Sequence, residues 1–183
     1  IKKKKILINN KNLGAGLSRN RGIEKASGTY IAFLDADDIW HKNKLKLQLK
    51  FLKKNKVHFC YSSYQIINKN EKIIKKIEAP TAIDYKNLMY SCDIGLSSVM
   101  MHHRILQKNK FTNLKTKEDY LLWLRLSKIK IKMRGMKPIL FSWRKTDNSL
   151  SSSVRQKLKD AFSIYNKHMK FNFLKSIFLT ILL

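Results

Sequence analysis

The chain has 183 residues, room for one domain of ordinary size, and its 44% hydrophobic and 10% aromatic content is enough to bury a core, which argues against intrinsic disorder. Lys and Arg total 39 against 12 Asp and Glu, a net charge of +27 that suits nucleic acid, anionic lipid or a phosphorylated substrate. The excess is mostly lysine, 32 Lys against 7 Arg, and lysine is the poorer phosphate fork and base reader, so no specific nucleic-acid partner is expected. Cys60 and Cys92 lie far apart with no CxxC spacing, so neither a disulfide framework nor a zinc site follows, and a reducing cytoplasm is the default expectation. The first residue is Ile1 rather than Met, and the chain is expected to begin partway through a longer protein.

In chain order, Ile6 to Ile8 reads as a short strand, and Gly14 to Ser27 as a helix closed by Gly28. Tyr30-Ile31-Ala32-Phe33-Leu34 is a continuous apolar run of the kind found in a central strand covered on both faces. That order implies a strand–helix–strand unit with parallel strands. Lys44 to Leu52 alternates with period two, yet its residues are good helix formers without β-branching. A helix with a Leu45, Leu49, Leu52 seam is therefore expected. Val57 to Ile67 reads as a strand turning at Asn68-Lys69-Asn70 into Lys72 to Ile77. Ser98 to His102 is a further strand, Lys117 to Ile129 a helix, Pro138 to Arg144 a strand and Val154 to Met169 a basic amphipathic helix. Phe171 to Leu183 is strongly apolar but too short to span a bilayer, which takes about 20 residues. It suits either a helix packed on the domain or an interfacial helix whose lysines, Lys167, Lys170 and Lys175, face anionic headgroups.

Three of the twelve acidic residues fall within four positions, Asp35, Asp37 and Asp38, directly after the apolar run. In open α/β sheets, ligands bind outside the carboxyl ends of the strands, and this cluster stands at one such end. Crowded carboxylates repel one another unless a cation or hydrogen-bond donors compensate, which makes Mn²⁺ or Mg²⁺, completed by substrate phosphates, a natural partner. The competing role is a turn that caps the following helix, and it fits Asp38 best.

These residues carry a resemblance. The stretch from Asn12-Leu13-Gly14-Ala15-Gly16-Leu17-Ser18-Arg19-Asn20-Arg21-Gly22-Ile23 through Ala26-Ser27-Gly28-Thr29 and the apolar run to Asp35-Ala36-Asp37-Asp38-Ile39-Trp40, with Lys44-Leu45 and Gln48 beyond, resembles the middle of bacterial family 2 glycosyltransferases. Gly14-x-Gly16 lacks the third glycine of a dinucleotide loop. The resemblance implies an α/β, GT-A fold, a Rossmann-like mostly parallel sheet flanked by helices. Here it would be partial, truncated before its nucleotide-binding segment, with residues 1–150 as the GT-A domain and 151–183 as a basic helical tail. It also implies inverting transfer of a sugar from a nucleotide-diphosphate donor to an acceptor hydroxyl. By position, Asp35 would lie near the donor's ribose or the metal, Asp37 would ligate the metal, and Arg19 and Asn20 would lie near the donor.

Such a displacement needs a base for the acceptor's proton. Glu118-Asp119 opens a helix and resembles the family's ED motif, whose Asp is the base, with Glu118 orienting the site. The same residues also spell a capping box, Thr116-x-x-Asp119. Only Leu121, Leu122 and Trp123 follow the acids at helical spacing, so neither has a basic partner on its own helix, which favours a pocket. Trp143 to Ser151 resembles a further family segment in which Arg144 could neutralise phosphate, although Thr146 stands where a His is common. His102-His103 is not expected to form a ligand pair, because neighbours on a strand face opposite ways.

The expected partners are a nucleotide-sugar donor, a glycan or lipid-linked acceptor and peripheral contact with anionic membrane. The expected location is the cytoplasmic side, in bacterial surface polysaccharide or lipid-linked glycan assembly. The alternatives are a basic nucleic-acid or membrane-binding module, which leaves the Asp cluster unexplained, and a metal-dependent nucleotidyltransferase.

Overall fold

A computed structural model of the chain describes residues 4–146 and 153–183. Asn12 rather than its neighbour Leu13 starts the first helix, α1 (Gly14–Lys25), by accepting from the Gly14 amide at 2.8 Å. Gly14 itself sits at φ +75°, a conformation that favours glycine. The chain then runs through β1 (Tyr30–Ala32), β2 (Ile39–Trp40), α2 (Lys44–Lys54), β3 (Phe59–Ile67), β4 (Ile73–Ile77), β5 (Ala82–Ile83), α3 (Tyr85–Leu88) and a 3₁₀ turn at Leu96–Ser98. It continues as β6 (Met100–His102), α4 (His103–Lys108), α5 (Glu118–Lys128), β7 (Met133–Arg144), α6 (Val154–Ser163), a π-helical turn at Ile164–His168 and α7 (Phe173–Leu182).

The sheet order is β1-β6-β3-β7-β2, with β4 added to β3 and β5 to β7. The long strands β3 and β7 run parallel from Phe59↔Met133 to Ile67↔Arg144, and every other pairing among the described residues is antiparallel. The α/β class holds, but the expected mostly parallel pairing does not. β6 takes up the start of β3 and β4 its end, while β5 and β2 do the same along β7, so short antiparallel strands curl round one parallel pair.

Three other expectations are corrected. Residues 6–8 form no strand, since no neighbouring strand pairs with them, and Ile6 and Ile8 are exposed. The parallel strand–helix–strand unit expected around α1 is therefore not formed by the described residues. The apolar run does not sit at the centre of the sheet: β1 lies at its end, half-buried, and Leu34 is 49% exposed. In α2 the helix forms against the period-two pattern, and the leucine seam holds only in part: Leu52 is buried and Leu49 half-buried against the core, but Leu45 is exposed, and Lys44 and Gln48 share the buried face.

The core lies between the sheet and α5, where Phe59, Tyr61, Tyr120 and Trp123 are fully buried, with Trp123 edge-on to Phe59. Ile164, Tyr165, Met169 and Leu179 join this core. The π turn interrupts the expected continuous helix and lets the adjacent Ile164 and Tyr165 both point inward. Tyr165 donates to the Met89 carbonyl at 2.7 Å, and its hydroxyl lies 2.8 Å from that of Tyr120. α7 buries Ser176 and Leu179 and leaves Phe173, Leu174, Phe178 and Ile181 largely exposed. Among the described residues no helix is long and apolar enough to cross a membrane.

Candidate active site

One cleft of about 570 Å³ is lined by Arg19, Asp35, Asp37, Asp38, Glu118 and Asp119 together with Tyr64, Phe141 and Trp143. The two acidic motifs, about eighty residues apart in sequence, therefore face a common space. α1 joins them. Arg19 donates through Nη2 to Asp35 Oδ1 at 2.7 Å and through Nη1 to Glu118 Oε1. Burial works against the Arg19 charge, but pairing with Asp35 and Glu118 outweighs it and holds the guanidinium above its ordinary range.

The close approach of α1 to the start of α5 depends on Gly16. A Cβ there would stand 2.2 Å from the Thr112 carbonyl oxygen and 3.2 Å from Cγ of Glu118. Asn20, expected near the donor, has both ends of its amide on the Phe111 main chain, donating to the carbonyl at 2.9 Å and accepting from the N–H at 3.0 Å. It thus anchors α1 rather than reaching the cleft.

The Asp turn is held from behind. The Asp35 amide donates to Ser97 Oγ at 3.1 Å, and Trp40 Nε1 donates to the Ser97 carbonyl at 3.0 Å. Gln48 Nε2 donates to the adjacent Ser98 carbonyl at 2.7 Å, and buried Lys44 donates to Gln48 Oε1 at 2.6 Å with its ammonium over the Trp40 ring. Burial pushes the Lys44 ammonium down to about 7. Lys44 and Gln48 belong to the matched pattern, but nothing in the sequence tells that they support the 3₁₀ turn behind the Asp residues.

The three acids separate in role. Asp38 turns inward, accepts from the Arg144 amide at 3.2 Å, and is pushed up to about 6 by burial against the lowering effect of its hydrogen bonds. Asp35 is tied to Arg19, and Asp37 is exposed. Arg144, expected to meet phosphate, has its guanidinium engaged by Glu71 at 2.9 Å and by the carbonyls of Asp37 and Lys69 at 3.1 and 3.3 Å. It ties the Asp turn to the β3–β4 loop. The rest of its segment, residues 147–151, lies outside the described residues.

Asp119 stands half-buried beside Glu118, accepting from the Tyr120 N–H at 2.7 Å. Burial, then the negative charge of Glu118, push its carboxyl up to about 7, where a group can take and release a proton near neutral pH. The capping box does not form: Thr116 Oγ1 donates to Asp160 at 2.9 Å, and Lys117, at φ 59°, precedes the helix with no side-chain cap. Glu118 finds its partner on α1, beyond any pattern readable within α5.

Among the described residues no group of three or more His, Cys, Asp or Glu is placed to hold a metal ion. Asp35 and Asp37 offer two hard oxygen ligands at the open side of the turn, which fits Mg²⁺ or Mn²⁺ held by one or two carboxylates and completed by phosphates. His102 caps α4 by accepting from the Arg104 amide, as its position at the strand's end requires.

The architecture is thus a mixed α/β sheet with two carboxylate motifs facing one cleft. The family model described as Glycosyl transferase family 2 matches residues 1–125, and the chain belongs to that family. It is 38% identical over 161 residues to "UDP-Glc:alpha-D-GlcNAc-diphosphoundecaprenol beta-1,3-glucosyltransferase WfgD" of Escherichia coli, covering 87% of this chain and 63% of that protein. It is 31% identical over 166 residues to "Putative teichuronic acid biosynthesis glycosyltransferase TuaG" of Bacillus subtilis (strain 168), covering 90% of this chain and 66% of that one. The crystal structure of S. aureus TarS 1-349 in complex with UDP-GlcNAc superposes with a TM-score of 0.67 at 18% identity over 84% of this chain and 45% of that one, which establishes the GT-A fold. The chain thus spans less than two thirds of the curated relatives it matches here.

Proposed function

We propose that these residues form the catalytic half of an inverting glycosyltransferase that moves a sugar from a nucleotide-diphosphate donor to an acceptor hydroxyl in cell-surface polysaccharide or lipid-linked glycan assembly. The observation that carries this reading is the Arg19 bridge, which holds an open carboxylate turn and the Glu118-Asp119 pair across one cleft. Asp119 takes the acceptor's proton, and its raised affinity for protons suits it to that step. Glu118, held by Arg19, keeps the start of α5 facing the cleft. Asp35 and Asp37 would hold Mn²⁺ or Mg²⁺, which when bound neutralises the diphosphate leaving group. Tyr64, Phe141 and Trp143 give the cleft an aromatic side against which a sugar or nucleobase can lie.

Relatives named for undecaprenol-linked and teichuronic acid synthesis support a glycan or lipid-linked acceptor, and TarS, solved with UDP-GlcNAc, supports a nucleotide-sugar donor. The exposed apolar side chains of α7, flanked by Lys167, Lys170 and Lys175, support peripheral contact with an anionic membrane on its cytoplasmic face. The test is UDP release by the full natural chain from UDP-glucose and UDP-GlcNAc, with Mn²⁺ and a GlcNAc-diphosphoundecaprenol acceptor. Release that needs both metal and acceptor, and that falls in Asp37→Asn at the same Mn²⁺ concentration, is expected. Release of sugar 1-phosphate instead of UDP, with the uridylyl group passing to the acceptor, would assign the cleft to nucleotidyl transfer.

A further inference from the structure

The acid pair is held from a second side, by a residue outside the span that the family model matches. Asp160, on α6, is 5% exposed, and one of its oxygens, Oδ2, accepts from both the Thr116 amide at 2.8 Å and the Thr116 hydroxyl at 2.9 Å. It is the only acidic residue in the described segment 153–183, which otherwise carries several basic side chains. Burying a carboxylate is unfavourable unless hydrogen bonds replace its water, and Asp160 meets two donors from a single residue.

That residue stands at a critical point. Lys117 follows with φ 59° and ψ 20°, a left-handed conformation that is unfavourable for a residue with a Cβ and persists only where neighbours fix it. The Lys117 carbonyl accepts the first α5 hydrogen bond, from Leu121 at 3.0 Å, and Glu118 and Asp119 follow directly. The left-handed turn therefore sets the direction in which both acids leave the helix end. Thr116, Lys117, Glu118 and Asp119 all line the cleft, whereas Asp160 does not. Arg19 fixes Glu118 from α1, and Asp160 fixes the preceding backbone from α6.

We infer that Asp160 is a positioning residue for sugar transfer. By clamping Thr116 it locks the turn at Lys117 and so aims Asp119 at the acceptor's hydroxyl. The inference rests on Asp119 as the base. Asp160 touches no substrate and acts through an acceptor oxygen, so its negative charge is dispensable and its hydrogen-bonding capacity is not.

The test uses the full natural chain with Mn²⁺, UDP-glucose and the lipid-linked acceptor, reading kcat and the UDP-glucose KM separately, each per folded molecule by near-ultraviolet circular dichroism. Asp160→Ala is expected to lower kcat about ten- to a hundredfold, the scale of a misplacement near 1 Å, with the UDP-glucose KM held within threefold. Asp160→Asn, which keeps an acceptor oxygen, is expected to recover most of that loss. Thr116→Val, which removes only the hydroxyl donor, is expected to fall between, and with Asp160→Asn it carries the test if the alanine variant does not fold. An unchanged kcat in folded Asp160→Ala or Thr116→Val, a KM that rises in step with the fall in kcat, or an asparagine variant as impaired as the alanine one would overturn the inference. Asp119→Asn serves as reference: wild-type kcat in that variant would sink the assignment of the base, whereas its inactivation beside an indifferent Asp160→Ala would sink the positioning role alone.

Discussion

The two carboxylate motifs share one cleft and one arginine, yet they differ in what surrounds them. The turn after β1 keeps Asp37 in solvent and Asp35 partly so, with support from polar groups behind it. The pair opening α5 sits against the core, next to the buried Tyr120, and Asp119 is held well above the ordinary carboxylate range. An exposed carboxylate is free to meet a cation, while burial and a neighbouring negative charge raise the proton affinity of one set against the core. The same side chain thus stands in two different surroundings, and the two tasks proposed above follow that difference.

Several measurements would break or sharpen that contrast. The largest effect is expected from Asp119→Asn, which should lower kcat by 10²–10³-fold with the donor KM nearly unchanged, read from UDP release. Asp37→Asn should act the other way, raising the Mn²⁺ concentration needed for half-activity while leaving the melting temperature within about 2 °C, as a surface substitution does. Arg19→Met leaves Asp35 and Glu118 facing each other without a shared donor. A loss on the order of 2–3 kcal/mol in denaturant unfolding is expected, the scale of removing hydrogen bonds to charged groups. Gly16→Ala should cost about 1–3 kcal/mol, because the Thr112 carbonyl is backbone and must be displaced.

The smallest effect concerns pH. The folded Asp119 carboxyl titrates near 7 against an ordinary value near 4, so ionising it works against folding. The stability tied to its neutral form is fully present below about pH 4 and is lost as the pH rises through about 7. Asp119→Asn should therefore melt a few degrees above the wild type at pH 8 and close to it at pH 4, by calorimetry. If Asp119 is the base, kcat of the wild type measured by UDP release is expected to rise with pH through about 7.

Much of this site was legible in the residues alone. The Asp cluster after an apolar run, and an acid pair with no basic partner at helical spacing, were enough to nominate both motifs, because each departs from what a surface turn or helix would contain. Hidden from sequence was every contact between distant segments. Nothing in the pattern of α5 says that Glu118 pairs with Arg19, ninety-nine positions earlier, or that Thr116 turns to Asp160 rather than closing its own capping box. The leucine seam of α2 held at Leu49 and Leu52 but missed at Leu45 for the same reason. Lys44 and Gln48 take the inward positions because the Ser98 carbonyl and the Trp40 ring wait there, and helical periodicity records apolar preference only. The sheet misled in another way. An apolar run signals burial of a strand, not the direction of its neighbours, and β1 meets an antiparallel partner at the sheet's end.

The bare backbone at Gly16 has a mechanical consequence. With no side chain as a cushion, α1 rests directly on the Thr112 carbonyl and on the stem of Glu118, so a shift of that helix along its axis is passed on without slack. Arg19 and this close approach together tie Asp35 to the start of α5, so a displacement of one wall of the cleft would strain the other.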